Sequence, residues 1–194
     1  MKKLLLTLAL GAAVSLSASA DTYYECLFGA SYNSKSVNNY TSTWSVTNEG
    51  STFDIVNFNN NENKWADFVK CGRKNNASVA TITTAFAATQ TINEVVLSAA
   101  FNEANVMNAI KLETSATEDF ATILSTVNAD NTVINTKNAT AADLTFKLDN
   151  PAANLYYRLT FDCKSAKANG IVWVYSVKYN GGAGQATLED PALS

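Results

Sequence analysis

The chain has 194 residues, a formal net charge of -3 and no histidine. The missing imidazole excludes Ser-His-Asp and Cys-His nucleophilic catalysis and any zinc site with His ligands. The acidic balance argues against a nucleic-acid partner, which calls for a basic stripe.

Lys2 and Lys3 precede an apolar run from Leu4 to Val14, and Ala18-Ser19-Ala20 ends the leader. A positive start, an apolar stretch and a small-x-small site form the pattern of an export signal cut after Ala20. The run is shorter than the ~20 apolar residues that span a bilayer. Cys26 lies too far from the cut to be a lipid-attachment site. The expected organisation is a signal peptide at 1–20, one domain at 21–181 and a loose tail at 182–194. The compact leader has a bacterial look, and the product is expected in the periplasm, at the cell surface or outside the cell, with no transmembrane segment.

The remainder reads as short strands broken by Asn, Gly and Ser clusters, the sign of a sandwich or barrel. Tyr23 to Phe28 is a first strand. Thr43 to Val46 and Thr52 to Phe58 flank Asn48-Glu49-Gly50, a hairpin turn signal. Asn59 to Asn63 reads as a polar loop. Trp65 to Cys71 reads as a strand that sets Trp65, Asp67 and Val69 against Ala66, Phe68 and Lys70, and a basic turn from Gly72 to Asn76 follows. Val79 to Phe86, Ile92 to Ala100 and Ala109 to Thr114 are strands. Thr117 to Phe120 is expected as one helical turn, Ala121 to Val127 as a strand and Thr132 to Ile134 as a short one. Leu144 to Leu148, Leu155 to Cys163 and Ile171 to Tyr179 complete the set. The last two, joined by a short loop, are expected to be antiparallel neighbours. No segment holds a helical period. So many short strands in one domain favour two packed antiparallel sheets, an all-β sandwich, over a small barrel.

Three cysteines leave at least one thiol free or paired outside the chain. A bridge between Cys71 and Cys163 is expected, because both close an apparent strand before a Lys- or Gly-bearing turn. Three half-buried free thiols are the alternative.

The stretch Ile110-Lys111-Leu112-Glu113-Thr114-Ser115-Ala116-Thr117-Glu118-Asp119-Phe120-Ala121-Thr122-Ile123 resembles the galactose-binding-like jelly rolls, which include discoidin-type domains and many carbohydrate-binding modules. Those domains often close with a hairpin like the one expected from Tyr157 to Tyr179. Asn57-Phe58-Asn59-Asn60-Asn61, Trp65 and Lys70-Cys71-Gly72-Arg73-Lys74-Asn75-Asn76-Ala77-Ser78 look like uncharacterised secreted domains of gut Bacteroidetes. The resemblance runs over most of residues 22 to 180. It implies a jelly-roll sandwich and, more weakly, glycan binding, since folds host many functions. It also implies a structural calcium, to which Glu118-Asp119 and Asp149-Asn150 would contribute. Six to eight converging oxygens are required for that ion, so these acids are read as solvated turn residues and no cofactor is expected.

Candidate chemistry narrows to aromatic side chains. Glycoside hydrolysis needs two suitably spaced carboxylates, and none of the acids sits in an informative local pattern, so no enzyme is expected. Gly181-Gly182-Ala183-Gly184 lacks the helix and lysine of a phosphate loop. Sugars stack their apolar C–H patches on aromatic faces while amides bond their hydroxyls. Trp65 follows an Asn-rich loop. Trp173 and Tyr175 share one face of the last strand, opposite Val172 and Val174. If the valines face inward, a bulge near Ser176 is needed to return Val177 and Tyr179 to the core, and Trp173 and Tyr175 form an outward platform. Otherwise both aromatics are core residues, as large aromatics commonly are. Trp44 reads as core. The expected function is a secreted, non-catalytic domain that binds a glycan or a glycan-bearing surface through Trp65, Arg73, Trp173, Tyr175 and nearby Asn. The alternatives are an adhesion or assembly protein of the cell envelope, marked by a flat apolar patch or bare sheet edge, and, third, a hydrolase.

Overall fold

The computed structural model describes residues 20–29, 36–61, 64–65 and 67–182. The expected signal peptide, apart from Ala20, and the tail beyond Gly182 lie outside the described residues. Eleven strands are described: β1 (Thr22–Leu27), β2 (Thr43–Asn48), β3 (Ser51–Val56), β4 (Val69–Cys71), β5 (Ser78–Thr84), β6 (Glu94–Phe101), β7 (Met107–Ser115), β8 (Ser125–Asn128), β9 (Asn138–Lys147), β10 (Tyr156–Cys163) and β11 (Val172–Asn180). One short helix, α1 (Asn131–Ile134), lies between β8 and β9.

The strands form two antiparallel sheets, the β-sandwich read from the sequence. One runs β1-β11-β6-β9, with β4 also on β11; the other runs β2-β3-β5-β10-β7-β8. Alternation explains the packing. In β2, Trp44, Val46 and Asn48 are buried while Thr43, Ser45 and Thr47 are exposed, because neighbours on a strand point to opposite faces. Trp44 is a core residue as expected, and its Nε1–H donates to the Phe58 carbonyl at 3.1 Å. Phe53 stacks on Tyr179 across the two sheets (centroids 5.8 Å apart), and Phe58 meets Phe161 edge to face at 5.3 Å. Each fully buried side chain of this size contributes about 1.5–3 kcal/mol of transfer free energy.

The Asn-Glu-Gly signal forms a two-residue hairpin between β2 and β3. Glu49 and Gly50 both have positive φ (47° and 82°), the backbone of a tight turn that matches strand twist.

Four local expectations are corrected. Trp65 to Cys71 is a strand only over Val69–Cys71. Thr117 to Phe120 is a turn, because the Asp119 carboxylate accepts from the Thr117 hydroxyl (2.6 Å) and the Ala121 amide (3.0 Å), and such local side-chain bonds compete with a helix. Ala121 to Val127 yields only β8. Thr132 to Ile134 belongs to α1, where the Asp130 carboxylate caps the Thr132 amide at 2.7 Å.

A larger correction concerns β10 and β11. They are not neighbours. β10 lies between β5 and β7 in one sheet, and β11 lies in the other. The connection crosses the end of the sandwich, where the Ala166 carbonyl accepts from Asn75 (2.9 Å) and the Gly170 amide donates to Gly72 (2.9 Å). The chain therefore changes sheets instead of closing a hairpin.

The bridge expected between Cys71 and Cys163 is not formed in this structure. Cys26, Cys71 and Cys163 are all buried free thiols. Cys71, on β4, and Cys163, on β10, nonetheless lie on facing sheets, and the Cys163 thiol reaches the Phe161 carbonyl at 3.9 Å. Burial, then the nearby Cys163, pushes the Cys71 thiol well above its ordinary pKa.

Candidate functional site

The site grows from β4 and β11, which pair antiparallel with Trp173 opposite Lys70. Val69 and Cys71 are sealed in the core, as are Val172 and Val174. Lys70, Trp173 and Tyr175 must therefore point to the outer face of the sheet. The bulge required by this orientation is present: Val174 pairs with Ala99 and Ser176 with Ser98, which leaves Tyr175 as the extra residue. Beyond it Val177 and Tyr179 return to the core at 0% and 1% exposure.

Trp173 and Tyr175 are half-buried rather than an open platform. Phe68, from the turn before β4, covers them. Its ring lies 5.0 Å from that of Trp173 and nearly parallel to it (8°), and 5.0 Å from that of Tyr175 at a tilt of 48°. Trp65 extends the cluster, parallel to Phe68 within 4° at 6.1 Å. The Lys70 ammonium lies 4.0 Å from the centre of the Trp65 ring, 4.6 Å from that of Trp173 and 5.3 Å from that of Phe68. Ring faces carry negative charge and attract such a cation. Burial pulls Lys70 below its ordinary pKa, whereas burial and then the Asp67 carboxylate push Tyr175 up.

Polar contacts fix the rings. The Trp173 Nε1–H donates to the Gly170 carbonyl at 2.9 Å. The Trp65 Nε1–H is buried without an acceptor among the described residues. The Trp65 amide bonds to the Asn61 carbonyl (3.1 Å), and the Asn61 side chain donates to Asn38 (3.0 Å). Asn59, Asn60 and Asn61 are buried, a correction to the polar loop expected there. Asn61 is thus spent on holding the loop, and Asn63 lies outside the described residues.

Arg73 stands apart from the rings. It lines a neighbouring groove of about 410 Å³ with Tyr40, Lys74, Asn75, Asn76 and Asn169. Gly170 joins the two places. Its φ is +71°, and a Cβ there would come within 2.6 Å of the Tyr40 hydroxyl and 2.9 Å of the Lys70 side chain. Asn169, one residue earlier, accepts from the Lys74 amide at 2.7 Å and lines the groove. Burial and then Cys71 push the Tyr40 hydroxyl above its ordinary pKa.

Of the residues expected from the sequence, the fold brings Trp65, Trp173 and Tyr175 together and sets Arg73 beside them. Phe68, Lys70 and Tyr40 are additions. The signal for the first two was the alternation of Phe68 and Lys70 with Val69 and Cys71, which marks them as the outward face. Tyr40 comes from a distant segment and has no local signal.

The outer face of the other sheet carries a different cluster. The Glu113 carboxylate accepts from Lys111 (2.7 Å) and from Arg158 Nε (3.1 Å), and the Arg158 guanidinium lies 4.2 Å from the Phe120 ring centre. Among the described residues no three Cys, Asp or Glu side chains converge as metal ligands.

No family model and no curated protein matches the chain. Solved structures similar to it include the catalytic domain of a GH87 alpha-1,3-glucanase variant in complex with tetrasaccharides, at 15% identity and TM-score 0.36, covering 64% of this chain and 23% of that one. Another is a family 35 carbohydrate binding module from an environmental isolate, at 13% identity and TM-score 0.36, covering 82% of this chain and 94% of that one. A second GH87 glucanase variant with tetrasaccharides matches at 13% identity and TM-score 0.36, over 89% of this chain and 30% of that one. The chain thus spans under a third of either glucanase chain.

Proposed function

We propose that this protein is an exported, non-catalytic domain that binds a glycan through the outer face of β4 and β11. The observation that carries the reading is the gathering of Trp65, Phe68, Trp173 and Tyr175 in one half-buried cluster. Beside it lies a groove rich in amides and hydroxyls. Aromatic faces take the C–H patches of a sugar, and amides take its hydroxyls. The ring faces are shared with Lys70, so a saccharide would contact what Phe68 and Lys70 leave open and extend toward Asn75, Asn76 and Asn169. A glycan array probed with the chain from Asp21 onward tests this. Binding to a defined set of glycans, lost on Trp173→Ala with the fold retained, supports it; an array without a single ligand overturns it. Mass spectrometry of the native product, with Asp21 as the first residue, tests the export step.

The assembly reading draws on a different observation. Ile123 and Leu124 are exposed at 39% and 56%, and β8 beside them forms an edge of its sheet. A self-associating chain that binds no glycan would favour it.

A further inference from the structure

The candidate site is rich in cations and hydrogen-bond donors. The Lys70 ammonium has no carboxylate within the 4.0 Å limit of an ion pair among the described residues. Ring faces hold its charge but accept little from its three N–H groups. The Trp65 Nε1–H beside it also lacks an acceptor among the described residues. In the adjoining groove, Arg73 and Lys74 stand among Asn39, Tyr40, Thr41, Asn75, Asn76 and Asn169, with no carboxylate in the lining. Among the described residues Asp67 bears on the cluster, and it acts at the Tyr175 side. The chain as a whole carries a net charge of -3, yet Lys70, Arg73 and Lys74 fall within five consecutive residues at one end of the sandwich.

Charges partly withdrawn from water interact more strongly than exposed ones. A cation held on aromatic faces without a counter-ion among the described residues is therefore prepared to take one from a ligand. The groove can do the same farther along, where amides fix orientation and Arg73 offers a fork matched to carboxylate or sulfate oxygens. A neutral sugar could accept from these donors through its hydroxyls but would leave the charges of Lys70, Arg73 and Lys74 without a counter-ion.

We propose that the ligand is an anionic polysaccharide, whose carboxylate or sulfate groups pair with Lys70 at the rings and with Arg73 and Lys74 in the groove. This rests on the glycan-binding reading and assigns its substrate class.

Affinity electrophoresis of the full chain in gels holding dextran, dextran sulfate, polygalacturonate or polyacrylate tests it. The expected result is retardation by dextran sulfate or polygalacturonate about tenfold stronger than by dextran, falling as salt is added. Whichever acidic polymer retards the chain names the anion. Lys70→Gln should weaken retardation about tenfold. Arg73→Gln with Lys74→Gln, on an exposed turn, gives a second test that does not disturb the ring cluster. Equal retardation by dextran and the acidic polymers, unchanged in both variants, would overturn the anionic assignment while leaving glycan binding in place. Polyacrylate retarding as strongly as the acidic glycans would also overturn it, since charge alone would then suffice. No retardation by any polymer, together with an empty glycan array, would remove the parent reading as well.

Discussion

The rings of Tyr157 and Tyr179 meet edge to face with centroids 5.7 Å apart, and both hydroxyls are buried without a partner among the described residues. A buried hydroxyl without a hydrogen bond costs about 1–3 kcal/mol. Tyr157→Phe and Tyr179→Phe should therefore leave stability unchanged or raise it by about 1 kcal/mol, measured by denaturant unfolding. A loss beyond that would show a partner bound to the hydroxyl. The same burial, with a smaller effect of Tyr24, pushes Tyr157 from 10.0 to about 12. The sign follows: the folded state resists deprotonation, so this stability is complete below pH 10 and is lost as the pH rises toward 12. Tyr157→Phe should flatten that alkaline decline.

Trp173 is fixed by its bond to Gly170 and by the parallel ring of Phe68. Trp173→Ala should cost about 1–3 kcal/mol, below the ~3–5 kcal/mol of a fully buried tryptophan, because the ring is half-exposed. Phe68→Ala should cost less stability and still reduce glycan affinity, since it removes the ring that orders Trp65 and Tyr175. Thermal unfolding and affinity measured on the same two variants separate these effects. A Trp173→Ala loss above about 4 kcal/mol would place the residue in the core.

Glu113 is nearly buried against Lys111 and Arg158. Burial raises its pKa, but the hydrogen bonds and charges of Lys111 and Arg158 outweigh it and hold the carboxyl below its ordinary value. A depressed folded-state pKa contributes stability above the unfolded value near 4.5 that is lost as the pH falls through the folded value. Glu113→Gln should cost about 1–3 kcal/mol at neutral pH and make the acid limb of the stability curve shallower. An unchanged acid limb in urea unfolding would show the pair contributing nothing.

Cys71 and Cys163 are on facing sheets, near enough for Cys163 to add to the upward push on the Cys71 thiol. If the chain folds in an oxidising compartment, non-reducing peptide mapping should recover them in one linked fragment, with Cys26 alkylatable after unfolding. The loop is long, so reduction should lower stability by ~4–5 kcal/mol in the chain-entropy model. Recovery of three alkylatable thiols from unreduced protein would end the idea.

The architecture was legible wherever alternation and turn chemistry are local. β2, β3 and their turn follow from Trp44, Val46 and Glu49-Gly50, and the bulge at Tyr175 follows from the need to bury both Val174 and Val177. Sheet membership was not legible for β10 and β11. A short connection favours a hairpin, and only the distant contacts of Ala166 and Gly170 with the 72–75 turn direct the chain across the end of the sandwich. The same limit applied at the site. Trp173 and Tyr175 could be oriented from their own strand, but the covering ring of Phe68 and the hydroxyl of Tyr40 arrive from elsewhere in the chain.

β11, the last strand described, is also the hub of its sheet. It pairs with β6 along one side, and its other side is divided between β1 and β4. The Thr22 hydroxyl bonds to the Asn180 side chain, 158 positions away. Among the described residues neither β1 nor β4 has another strand in its sheet to lean on, so both wait for β11, while β6 and β9 can already pair with each other. Closing so long a loop is slow, and contacts this distant in sequence delay the folding transition. An emerging chain can assemble β2, β3, β5, β7 and β10 into their own sheet while β1 and β4 remain unpaired, and a chain ending before Val172 would keep two strands without a place to dock.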